Sequence, residues 1–152
     1  MTTLFSDVAK EDLIYIAGLF DGEGCIIIGA EKDTPSYFLQ VSVNNTNESL
    51  ILWLKSLFGG YINVIHSKSI NHKDVHHWVL LREQAEKFLL LILPYLKIKK
   101  PQAELAISFQ ENKGGRKGKP VSSDLIVVRE MYKKAISALN QGDKNVIGDD
   151  VE

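Results

Sequence analysis

The sequence holds one cysteine, Cys25, among 152 residues, and only four prolines. A single thiol excludes an intramolecular disulfide framework and a cysteine-rich zinc site. No apolar run approaches the ~20 residues that a membrane-spanning helix needs. The opening residues, MTTLFSDVAKED, lack the charged start, apolar stretch and small-residue cleavage site of a secretory signal. A soluble intracellular protein, not a secreted one and not a membrane one, is therefore expected. Net charge is nearly absent too, at −1, and such a balance gives no reason by itself to expect nucleic acid as a partner.

What is present is a hydrophobic fraction of 45%. A chain of this length buries roughly 70% of the surface that its unfolded form exposes, enough for one core. One domain over residues 1–141 followed by a flexible tail over 142–152 is expected. The charge, however, is unevenly distributed. Residues 1–24 carry one Lys against five acids, whereas residues 94–120 carry seven basic residues, from Lys97 to Lys119, against Glu104 and Glu111. A cluster of that kind supplies a phosphate-facing surface even when the total is neutral. For the stretch NKGGRKGKP, a solvated loop is the alternative.

Hydropathy patterning gives a helix–strand–strand unit twice, then helices. Ala9 to about Asp21 reads as a helix with Leu13, Ile16, Ala17 and Phe20 on one apolar face. CIIIGAEK and SYFLQVSVN read as strands joined by the turn signal DTP, the second strand alternating Leu39, Val41 and Val43 with Gln40, Ser42 and Asn44. That alternation predicts one polar sheet face. TNESLILWLKSLFGG is a helix opened by Thr46 or Asn47 and closed by a glycine pair. YINVIHSKS and VHHWVLL form a second hairpin, followed by a helix stopped at Pro94, another beginning near Pro101, and a last one from Ser122 to about Gly142.

The first helix has a second face. Ile14, Gly18 and Gly22 recur every four residues, and small residues at that spacing let two helix backbones approach closely. Either a copy of the same helix from another subunit packs there about a two-fold axis, or the glycines make room for a bulky neighbour within the chain. Directly beyond this face come Asp21 and Glu23, acids at the negative end of the helix dipole, where they are least favoured. If two such helices pair, the acids at their ends share a small volume, and a hard divalent cation with oxygen ligands is the natural neutraliser. Glu23 is then the candidate ligand. Asp21 lies on the wheel towards the partner helix with Ile14, Gly18 and Gly22, and its expected role there is structural, hydrogen bonding to backbone.

The stretch IAGLFDGEG, Ile16 to Gly24, resembles the nine-residue signature of the LAGLIDADG homing endonucleases, with Glu23 in place of the second Asp. The element order and LPYLKIKKPQA, Leu93 to Ala103, also resemble the single-motif members of that family. The resemblance implies an α+β fold of αββαββα order, an antiparallel sheet saddle with helices on one face, and a homodimer joined through the motif helix. It further implies a divalent-metal-dependent endonuclease, with Mg2+ the expected ion, that makes a double-strand break in a long palindromic or pseudo-palindromic DNA site and leaves short 3′ overhangs. Glu23 matches the metal-binding acid, with Gly22 beside it in the metal site. Lys99 matches the basic residue near the scissile phosphate. Asn44 matches the polar residue that helps hold the attacking water, and a shift of one residue in VNNTN would transfer that role to Asn45.

A two-stranded ribbon fits the major groove, where Asn and Gln bond adenine and Lys bonds guanine. Gln40, Ser42, Asn63 and His77 on the strands are the candidate DNA contacts, with Lys32 near the first turn and Ser67, Lys68, His72 and Lys73 near the second. Lys100, Arg116 and Lys117 join them from the basic stretch. The four histidines, 66, 72, 76 and 77, straddle one hairpin without a second ligand set, so DNA-facing or solvated imidazoles are expected rather than zinc. Two rivals stay open: a non-cleaving binder of the same fold, such as an intron RNA maturase or a regulator, and a homodimeric α/β protein of other function. The first would not need an acid at 23 or a lysine at 99, and in the second the basic 94–120 region would show no salt-dependent DNA affinity.

Overall fold

The computed structural model describes residue 5, residues 7–112 and residues 121–149, the last seven of these in backbone only. Among the described residues, five α-helices and four strands follow in the order α1 (Lys10–Glu23), β1 (Gly24–Ala30), β2 (Tyr37–Asn45), α2 (Glu48–Phe58), β3 (Tyr61–Ile65), β4 (Val75–Leu81), α3 (Arg82–Ile92), α4 (Lys100–Glu111) and α5 (Ser123–Asp149). The strands form one antiparallel sheet in the order β1-β2-β4-β3.

Local chemistry accounts for most boundaries. Asn47 caps α2, its side chain accepting the Leu50 N–H at 3.1 Å, as its residue type favours. The same helix stops at Gly59 and Gly60, whose φ angles of 77° and 84° suit glycine alone. A Cβ at Gly60 would run into the Val79 carbonyl. This tight turn also serves the core, because the Gly59 carbonyl accepts the indole N–H of the fully buried Trp78 at 2.8 Å. Pro94 is not the stop expected of it. α3 already ends at Ile92, and Pro94 sits in a short 3-10 turn, Leu93–Tyr95, where its missing N–H costs nothing. α5 continues helical to Asp149, beyond residue 142 where the sequence reads as the start of a tail; residues 150–152 lie outside the described residues.

The register divides the sheet into two faces. Ile26, Ile28, Leu39, Val41, Val43, Trp78 and Leu80 are buried under the helices. There the rings of Phe20, Phe58, Trp78 and Phe88 interlock at centroid distances of 4.9 to 6.0 Å, a geometry that adds edge-to-face attraction to area burial. Leu13, Ile16, Ala17 and Phe20 are the buried residues of α1, as their spacing predicts. The opposite face carries no helix among the described residues and presents rows that cross the strands: Ile27, Gln40 and Leu81; Cys25, Ser42, Val79 and Tyr61; Asn44, His77 and Asn63.

Candidate functional site

The end of α1 lies where β1 begins, and three distant segments converge on it. Asp21 turns its carboxylate onto the chain entering α4. Oδ2 accepts the Lys97 N–H at 2.8 Å, and Oδ1 accepts the N–H groups of Ile98 and Lys99 at 3.2 and 2.9 Å. In return the Lys99 ammonium donates to the Asp21 carbonyl at 2.8 Å, which sets a cation on the carbonyl end of α1 where the helix dipole favours one. The acid that nothing nearby rewards is thus compensated from across the molecule. Its structural role is the one expected, although its carboxylate is directed into its own chain.

Glu23 is exposed at the last position of α1. Its Oε2 accepts a hydrogen bond from Asn45 Nδ2 at 2.6 Å. The orientation of that amide follows from its other end, since Asn45 Oδ1 accepts the Asn47 N–H at 2.7 Å, leaving the NH2 to face the carboxylate. The side chain brought against Glu23 is therefore Asn45, at the end of β2, and not Asn44. Asn44 has the parity of Gln40 and Ser42, and pairs with His77 on the open face. The strand alternation that pointed to Asn44 holds for the sheet face, but the site lies at the strand's end, next to the helix.

Asp21 is committed to amides, and among the described residues no group of three or more His, Cys, Asp or Glu gathers as a metal cage. One chain thus offers a single exposed carboxylate, Glu23, with the backbone of Gly22 beside it. That donor set has the hard-oxygen chemistry of a Mg2+ or Ca2+ ligand but is half a site, and it fits a metal only where a second copy brings its own Glu23. Among the described residues nothing outside the helix approaches within 4 Å of where a Cβ would stand on Gly18 or Gly22, and Ile14 is 47% exposed. No bulky neighbour among them occupies the space beside these glycines.

On the open face, Gln40 is half-buried, Asn63 is exposed and His77 half-buried. Ser42, flanked by Cys25 and Val79 in its row, is only 6% exposed, so it shapes the surface more than it reaches from it. Lys32 is exposed in the β1–β2 connection, and Lys68, His72 and Lys73 are exposed in the β3–β4 connection. Ser67 is turned inward there: its N–H donates to Asp74 Oδ1 at 2.8 Å and its hydroxyl to the Ser69 carbonyl at 3.1 Å. His66 pairs with Asp74 Oδ2 at 3.0 Å. Lys100 is exposed as the first residue of α4, while Arg116 and Lys117 lie outside the described residues.

A cation that the sequence reading passed over joins this face. Arg82 reads as the first residue of a helix, yet its guanidinium carbon stands 5.3 Å from the centroid of the Phe38 ring. That ring packs over Gly29, where a Cβ would strike it. The φ of Arg82 is 53°, a conformation that costs a non-glycine residue energy and gathers at functional positions.

An α+β architecture with one antiparallel sheet bare on one side, and a carboxylate with its amide partner at the end of a glycine-faced helix, defines a class. The model of the LAGLIDADG endonuclease family matches residues 16–113, more than half of the chain, and the protein belongs to that family. Among solved structures, the chain is similar to the homing endonuclease I-CvuI in complex with a DNA target, at a TM-score of 0.68 and 19% identity over 86% of this chain and 82% of that one. It is also similar to the homing endonuclease I-TnaI, at a TM-score of 0.63 and 15% identity over 88% and 97% of the two chains. The archaeal intron-encoded homing endonuclease I-Vdi141I, complexed with DNA, matches at a TM-score of 0.55 and 14% identity over 80% and 96%. No curated protein matches the sequence. No described helix is long and apolar enough to cross a membrane.

Proposed function

We propose that the protein is a site-specific homing endonuclease: a homodimer that lays its sheets along duplex DNA and hydrolyses one phosphodiester in each strand. The observation that carries this reading is Glu23, an exposed carboxylate held by Asn45 at the end of a helix whose Gly18 and Gly22 face has no neighbour among the described residues. Two such helices about a two-fold axis bring their Glu23 side chains together, which completes the half site.

In this mechanism Glu23 and the Gly22 backbone hold a divalent ion, with Mg2+ the expected one. When bound, it supplies Lewis-acid polarisation of the phosphoryl oxygen and acidifies water. Asn45, rather than Asn44, positions the attacking water, because its amide is anchored at one end and faces the site with the other. Lys99 keeps its ammonium at the same helix end and offsets charge that develops on the phosphate in the transition state. Gln40, Asn63 and His77 read base edges in the major groove, while Lys32, Lys68, Lys73, Lys100 and Arg82 contact phosphates, together with Arg116 and Lys117. The relatives I-CvuI and I-Vdi141I, both solved with DNA, support the choice of ligand.

The test is a magnesium-dependent cleavage assay on a randomised duplex library, wild type beside Glu23→Gln, with the broken ends sequenced. Selective cuts by the wild type alone, with short 3′ overhangs about a two-fold centre, are expected, while the variant retains binding and the dimer. Saturable binding without cuts by the wild type would sink the nuclease reading in favour of a non-cleaving binder.

A further inference from the structure

The last long helix touches the sheet in a way that the catalytic reading does not use. Three side-chain hydrogen bonds tie α5 to the β1–β2 hairpin. The Tyr37 hydroxyl donates to Glu130 Oε2 at 2.5 Å, Arg129 Nη1 donates to the Pro35 carbonyl at 3.0 Å, and Asn140 Nδ2 donates to the Ile26 carbonyl at 3.0 Å. Tyr37 and Arg129 are 8% and 5% exposed. A charged group is retained at such burial only when it is well bonded, and here it ends on a turn carbonyl.

The spacing of these contacts matters as much as their strength. From Glu130 to Asn140 the helix rises about 15 Å, and from the Tyr37–Ala30 pair to Ile26 the strand extends about 13 Å. The helix therefore runs alongside β1 and holds it at both ends, near the root and at the tip. β1 is an outer strand, paired on one side only. Beyond Gln40, where β2 no longer pairs with β4, the hairpin is a two-stranded ribbon, which twists more freely than an interior strand, so the ties to α5 constrain the curvature of that end.

That hairpin carries Lys32, Gln40 and the Phe38–Arg82 stack on its open side. We infer that α5 is a brace that sets the curvature of the β1–β2 hairpin against the DNA, which makes Arg129, Glu130 and Tyr37 positioning residues for base reading although they face away from the groove. The inference rests on the DNA-reading function proposed above. The hairpin tip lies about 23 Å along β1 from Glu23, which is about seven base steps along a strand. The brace thus governs specificity far from the cut and leaves the cut itself alone.

The experiment uses the full chain as wild type, Tyr37→Phe, Glu130→Ala, Glu130→Gln and Arg129→Met. Each is selected for binding on a randomised duplex library, and hydrogen exchange is followed on the free proteins. Tyr37→Phe, Glu130→Ala and Arg129→Met are expected to lose roughly three- to tenfold of base discrimination, the order of one ordinary net hydrogen bond. That loss should be confined to positions about six to seven base pairs from the scissile phosphate. Glu130→Gln, whose amide oxygen still accepts from Tyr37, should retain it. Amide exchange should quicken at Glu31 to Tyr37 in the three broken variants and stay unchanged in β3 and β4.

A loss of discrimination spread evenly over all positions would make these residues merely structural and overturn the inference, as would unaltered discrimination with faster exchange. A wild type without base preference anywhere would remove the DNA-reading function itself. Exchange that is unchanged in every variant would refute the brace whatever the DNA result.

Discussion

Asp21 is a residue whose cost is local and whose reward is distant. Its two carboxylate oxygens accept three amides of the segment that leads into α4. Asp21→Ala removes both acceptor oxygens, and with them all three hydrogen bonds, and lets go of the segment that holds Lys99. The expected loss is about 2 kcal/mol, equivalent to roughly 4–8 °C in melting temperature for a domain of this size. Calorimetry should find it, with cleavage falling further than stability alone predicts because Lys99 loses its place. Asp21→Asn, which keeps one oxygen acceptor, should fall between. The same scale explains the exchange of Asn44 for Asn45. Two adjacent amides are set apart because one ends on the open sheet face and the other is anchored to the Asn47 N–H.

Among elements, the β3–β4 connection has its own pH response. The Asp74 carboxyl is held below the usual carboxylate range, first by the Ser67 N–H and then by the hydrogen bond to His66. A group with a lowered folded value stabilises the fold above its ordinary value of 3.8, and that contribution disappears as pH falls through the lower folded value. Acidification into that range should release the Ser67 amide and loosen the connection that carries Lys68 and Lys73. The Ser67 amide shift, followed by NMR, should titrate with Asp74 and stop doing so in Asp74→Asn. A shift that titrates unchanged in the variant would assign the response to another group.

The whole molecule is defined by a surface that the described residues leave bare. Gly18 and Gly22 have open space where a side chain would stand, and glycine inside a helix costs about 1 kcal/mol relative to alanine. That cost is sensible where a second backbone must come close. Gly18→Leu should therefore leave the folded subunit intact or slightly more stable, since a better helix former enters empty space. If the proposed homodimer forms through this face, the same variant should sediment as a monomer beside a dimeric wild type, and lose cleavage with the second Glu23. A dimer that persists in Gly18→Leu would move the subunit contact elsewhere.

The parts of this architecture that follow from neighbours along the chain were legible without coordinates. The apolar stripe Leu13, Ile16, Ala17 and Phe20, the cap at Asn47, the glycine pair at 59 and 60, and the alternation along β2 each arise within a few residues. Their signals are periodicity, capping chemistry and backbone sterics, all of them local. The motif residues around Glu23 were legible for the same reason, being contiguous.

Contacts between remote segments carry no such period. Lys97 to Lys99 meet Asp21 across 76 to 78 positions, and Tyr37 meets Glu130 across 93. Arg82 opens α3 as its position predicts, but only the fold sets its guanidinium over Phe38. The sequence by itself determined the helices, the strands, the buried faces and the acid at the helix end, because those depend on short-range geometry and on the free energy of burying apolar surface. Tertiary structure alone decided which amide meets Glu23, what compensates Asp21, and which face of α1 remains open. These are matters of where separate elements come to rest, and hydrogen-bond direction at that point is set by packing rather than by sequence spacing.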